Sequence, residues 1–147
     1  MTEPRVVIVR RSIAAPRERV FDAWLDPATL ARFMLPGDVT HTTAEVDARV
    51  GGRFRIVMTH GRGGAEHWGE YLVIDPPARL SFTWISASTD LQSTTVTIEL
   101  HERDDGGTDL VLSHRGLPDR TFGSHEGGWG SIVAKLDVLA TSGGRAG

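Results

Sequence analysis

The sequence holds 147 residues, carries a formal net charge of -3 and contains no cysteine. That length lets a chain bury roughly 70% of its unfolded surface, and the missing thiols exclude disulfides and cysteine metal sites. Acids and bases are interspersed with no basic stripe, which argues against nucleic acid as a partner.

No signal-peptide core opens the chain, and no apolar run approaches the ~18 residues of a membrane span, so the expected compartment is the cytoplasm. Val6 to Ile13 is β-branched and predicts a strand. Pro16 opens a helix carrying Val20, Phe21, Trp24 and Leu25 at helical spacing. Asp26-Pro27 ends it, and Pro27 begins a shorter helix to about Phe33. Pro36-Gly37 closes the helical region.

Val39 to Asp47 reads as a weaker strand, and Gly51-Gly52 as a turn. Arg53 to His60 alternates, with Phe54, Ile56, Met58 and His60 on one face. Gly61, Arg62, Gly63 and Gly64 then turn the chain into a strand from His67 to Ile74. A phosphate cradle would need a helix start directly after this glycine run, so it reads as a hairpin tip. A hairpin symmetric about Gly63 sets Phe54 opposite Leu72, Ile56 opposite Glu70 and Met58 opposite Trp68. Under that register Glu70 shares an apolar face with Leu72 and Ile74, where a carboxylate must be paired, protonated or open to a water-filled cavity.

A proline turn at Pro76-Pro77 leads to Leu80–Ile85, with Leu80, Phe82 and Trp84 on the inner face. Thr94 to Glu102 places Val96, Ile98 and Leu100 inward. Asp105-Gly106 signals a hairpin, and Thr108 to His114 returns with Leu110, Leu112 and His114 inward. From Pro118-Asp119 a long helix presents Trp129, Ile132, Val133, Leu136, Leu139 and Ala140 as one apolar stripe. Gly127, Gly128 and Gly130 interrupt it, each at a cost of about 1 kcal/mol relative to alanine, and mark a kink or a close approach of a backbone or ligand. Ser142 to Gly147 lack an apolar anchor and are expected to fray, leaving about residues 4–141 ordered.

The predicted fold class is therefore α+β. One antiparallel sheet of six or seven strands curves around a long C-terminal helix, with two short helices after the first strand, all in a single domain of residues 1–147. A curved sheet covered by one helix leaves a wedge-shaped space, a common place for small-molecule sites.

Four segments carry a resemblance. They are Ala15 to Pro27 (APRERVFDAWLDP), Val50 to Phe54 (VGGRF), Pro76 to Trp84 (PPARLSFTW), and His125 to Trp129 (HEGGW) with Leu136. Together they resemble the single-domain relatives of the activator of heat-shock protein 90 ATPase, within the START-like or SRPBCC superfamily. The resemblance spans nearly the whole chain and implies a helix-grip fold with a hydrophobic cavity. It supplies no catalytic residue set. Phe33-Met34 stands where relatives carry an aromatic centred on tryptophan, and Glu70 where an aliphatic residue is usual. The chaperone activators carry a further N-terminal domain, so chaperone interaction does not transfer with the resemblance.

The leading expectation is a hydrophobic small molecule bound in the internal cavity, with no cofactor. The expected walls are Phe33, Phe54, Ile56, Met58, Trp68, Leu72, Phe82, Trp84, Leu112, Trp129 and Val133. Glu70 is the expected polar contact, with His114 or Arg11 second. The alternatives are a cyclase, hydrolase or isomerase using Glu70 or a histidine as general base, and a protein-interaction module. His60, His67, His114 and Glu66 do not have the spacing of a zinc motif, so no metal is expected. No nucleophile elbow is present. The strands at the sheet edges leave a homodimer open.

Overall fold

The computed structural model describes residues 5–61 and 63–143. Residues 1–4 and 144–147, which include most of the end expected to fray, and Arg62 of the expected hairpin tip lie outside the described residues.

Seven strands form one antiparallel sheet: β1 (Val6–Ile13), β2 (His41–Val46), β3 (Arg53–His60), β4 (Gly63–Asp75), β5 (Arg79–Trp84), β6 (Thr94–Glu102) and β7 (Thr108–Arg115). Their spatial order is β1-β7-β6-β5-β4-β3-β2, so β1 and β2 are the edges. α1 (Arg17–Ala23) and α2 (Pro27–Phe33) connect β1 to β2, and α3 (Asp119–Gly143) follows β7. Pro16 sits at the N-cap of α1. Asp26 caps α2 by accepting a hydrogen bond from the Thr29 backbone N–H at 3.0 Å.

The inner face of the sheet carries Phe54, Ile56, Met58, Leu80, Phe82, Trp84, Val96, Ile98, Leu100, Leu110 and Leu112, all buried. Trp129, Ile132, Val133, Leu136 and Ala140 of α3 are buried against this layer. Fully burying one such aliphatic or aromatic side chain contributes about 1.5–3 kcal/mol, which holds the helix in the grip of the sheet. α3 packs against β1 and against α1 and α2.

The β3–β4 register differs from the sequence expectation. Phe54 pairs with Gly69, Ile56 with His67 and Met58 with Ala65. The slip is three residues, and an odd slip exchanges the faces of a strand. His67, Gly69 and Tyr71 therefore point inward, whereas Trp68, Glu70 and Leu72 point outward. Two local features impose this. Gly69 lies under the Phe54 ring, and a Cβ there would fall 2.7 Å from Phe54 Cζ and 1.9 Å from the Thr83 carbonyl oxygen. A β-bulge between Tyr71 and Val73 then shifts the β4–β5 pairing, with Tyr71 opposite Phe82 and Val73 opposite Ser81. Leu72 is the extra residue, and the parity of the strand reverses across it.

Candidate functional site

The closed space between the sheet and the helices is nearly filled. Trp24, Leu30, Met34, Phe54, Ile56, Tyr71, Phe82 and Trp84 surround a void of only about 10 Å³. That is room for at most about one water, so among the described residues the hydrophobic cavity expected between sheet and helix is nearly filled at this place. The aromatic rings account for the filling. Phe54 contacts Tyr71, Phe82 and Trp84 at centroid distances of 5.4, 5.3 and 6.0 Å, and Trp24 meets Phe33 edge-on at 5.0 Å.

An open cleft of about 360 Å³ lies nearer the N-terminal half of α3. Met58 of β3, His67 of β4 and Trp84 of β5 contribute the sheet wall. Ser124, His125, Gly128, Trp129 and Ile132 contribute the helix wall. Pro36 and Asp38 after α2, and Ser88 in the short 3-10 turn Ala87–Thr89, complete the rim. Its aromatic surface is continuous: Trp84 and Trp129 are 5.1 Å apart, and the His67 ring lies 4.9 Å from Trp84.

A directed hydrogen-bond chain fixes the two tryptophans. The Trp129 indole N–H donates to Nδ1 of His114 at 2.9 Å. That leaves the His114 proton on Nε2, which donates to Thr94 Oγ1 at 2.7 Å. The Thr94 hydroxyl donates in turn to the Trp84 carbonyl at 2.5 Å. His114 is 0% exposed, and burial, aided by the neighbouring His125, pushes its pKa down to about 3. Both of its nitrogens are engaged, so it braces the cleft from behind and has no free polar atom to offer a ligand.

Two other imidazoles line the cleft itself. Burial pushes the pKa of His67 down, against the Ile56 and Ala65 carbonyls, which favour its charged form. Its Nδ1 is buried without a hydrogen bond of good geometry. Burial also pushes the pKa of His125 down, while its contact with the Thr121 carbonyl pulls the other way.

The residues expected at the site separate into four groups. Met58, Trp84 and Trp129 line the open cleft. Phe54, Ile56 and Phe82, with Trp84 again, line the small closed void. Phe33, Leu112 and Val133 are wholly buried in the core, and His114 lies beneath Trp129. Trp68, Glu70 and Leu72 line a separate cleft on the outer face with Arg53, Thr83 and Ile85. Glu70 is exposed, and its backbone N–H donates to Thr83 Oγ1 at 2.9 Å. Arg11 bonds Asp137 of α3 at 2.8 Å, away from the cleft. Glu66 pairs with Arg55, and among the described residues no group of three His, Cys, Asp or Glu side chains could hold a metal.

Sequence reasoning did not select His67, His125, Asp38 or Ile132 as site residues. The signal for His125 was its place in the HEGGW segment, directly before the glycines. For His67 the signal was the glycine two residues on, since Gly69 sets the register that turns His67 inward.

A curved seven-stranded antiparallel sheet gripping one long C-terminal helix defines a START-like, helix-grip protein. The model of the family described as activator of Hsp90 ATPase homolog 1-like protein matches residues 14–141, and the chain belongs to that family. Among solved structures, a Chromobacterium violaceum protein is 28% identical with a TM-score of 0.81, covering 92% of this chain and 96% of that one. A Mesorhizobium loti protein is 26% identical with a TM-score of 0.78, at 94% and 98% coverage. CalU16 from Micromonospora echinospora is 26% identical with a TM-score of 0.71, at 95% and 78% coverage. No curated protein matches the chain. Among the described residues no helix is long and apolar enough to cross a membrane.

Proposed function

We propose that this protein binds a hydrophobic small molecule in the open cleft beside the N-terminal half of α3. The observation that carries this reading is the packed pair of Trp84 and Trp129, 5.1 Å apart, at one wall of a space of about 360 Å³ lined further by Met58 and Ile132. That volume falls within the range of small-molecule sites, which are mostly apolar with a few placed polar groups. A Cβ at Gly128 would sit in ordinary contact with Pro36 Cβ at 3.7 Å, so a side chain added there enters the rim of the cleft without a clash at its first carbon. Glu70 stands on the opposite side of the sheet, so no reaction is assigned to it.

The test is calorimetric titration with N-phenyl-1-naphthylamine, a neutral apolar probe. Saturable binding at one site is expected, weakened at least tenfold in Gly128→Leu, whose side chain starts beside Pro36 and extends into the cleft. Equal affinity in the two proteins would place binding elsewhere, and no binding at all would remove the reading.

A further inference from the structure

The polar groups of the cleft constrain what its occupant can be. His125 Nδ1 lies 2.8 Å from the Thr121 carbonyl, which can only accept, so the ring proton sits on Nδ1. Nε2 of the neutral ring then presents a bare lone pair, and no described protein donor meets it. His114 differs in that both of its nitrogens are already engaged. Among the described residues no arginine or lysine lines the cleft, and the one carboxylate that does is Asp38. An anionic head would therefore meet a like charge and no cation, and neutral imidazoles offer it little compensation. Trp84, Trp129, Met58 and Ile132, each under 5% exposed, offer an apolar body a narrow strip of wall.

We propose that the ligand of this cleft is a neutral, flat, apolar molecule bearing a hydroxyl group, which donates a hydrogen bond to Nε2 of His125. This rests on the cleft being the binding site, and it adds the chemistry by which the cleft selects. The aromatic walls supply affinity without preference, and the His125 lone pair distinguishes a hydroxyl from a group of the same shape that has no proton to give.

The experiment compares three probes by calorimetry at neutral pH: 2-naphthol, its methyl ether 2-methoxynaphthalene, and 2-naphthoate. The ether keeps the ring and the oxygen and loses only the donor. The expected result is 2-naphthol about fivefold tighter than the ether, the ratio one neutral hydrogen bond supplies, with 2-naphthoate weakest. In His125→Phe, which keeps a ring without the acceptor, the ratio falls to about one. In His125→Gln, which restores an acceptor oxygen, part of it returns. Equal binding of naphthol and ether to the unaltered protein overturns the inference and leaves the cleft as the site. Tightest binding of 2-naphthoate overturns it in favour of an anionic ligand. Failure of all three probes to bind would count against the cleft itself, and the inference would fall with it.

Discussion

At the scale of the residue, Gly69 decides more than its size suggests. The Phe54 ring occupies the space a side chain would take, and the Thr83 carbonyl closes the other side. Backbone cannot yield as the tip of a flexible side chain can, so Gly69→Ala is expected to cost about 3 kcal/mol through overpacking. Urea denaturation measures this directly, and a loss below about 1 kcal/mol would show that the strand relaxes around the methyl group. The same residue shows where sequence reading stopped. Hydrophobic alternation gave the inner faces of β3, β5, β6 and β7, because each is regular and apolar on one side. In β4 the apolar residues Trp68, Leu72 and Ile74 suggested a face that the bulge at Leu72 then divides. Nothing in a residue's own character announces that it is the extra one in a bulge.

At the scale of the element, α3 pairs strong local costs with a strong tertiary reward. Gly127 and Gly130 sit inside a 25-residue helix with nothing within 4 Å of a built Cβ. Neither meets another backbone within that distance, which leaves the approach of a ligand or a kink from the alternatives the sequence offered for this cluster. Gly127→Ala should therefore stabilise the fold by about 0.5–1 kcal/mol, through helix propensity and a less flexible unfolded chain. A raised thermal midpoint with unchanged probe binding is the expected outcome, and a lowered midpoint would show that the helix needs the glycine. The two short helices and the long one were legible in sequence because Pro16, Pro27 and the stripe from Trp129 to Ala140 mark them without tertiary information. The cleft was not legible, because it is made of single residues from several elements brought together only by the register of β4.

At the scale of the whole molecule, the buried histidines tie stability to pH. His114 takes up its proton near pH 3 when folded and near the ordinary 6.5 when unfolded. Above about pH 6.5 neither state binds that proton and this contribution is fully present. Below it the unfolded chain gains a proton that the folded one refuses, so stability falls by about 1.4 kcal/mol per pH unit until the folded state titrates near pH 3. His67 and His125, also shifted down by burial, steepen the same decline. Urea denaturation at successive pH values should show this slope in the native sequence and a shallower one in His114→Gln, and equal slopes would remove His114 as a source. The arrangement of the strands adds a different sensitivity, to chain length. Leu72 is 42% exposed, and Leu72→Ser should change stability by under about 1 kcal/mol. Deleting the same residue removes only the bulge: Tyr71 stays opposite Phe82 and Val73 opposite Ser81, and the strand alternates without interruption. A missing codon there should therefore leave cooperative unfolding intact, whereas one inserted between Gly69 and Glu70 must turn Trp68 into the core or force a second bulge, so the gene tolerates a shorter strand here but not a longer one.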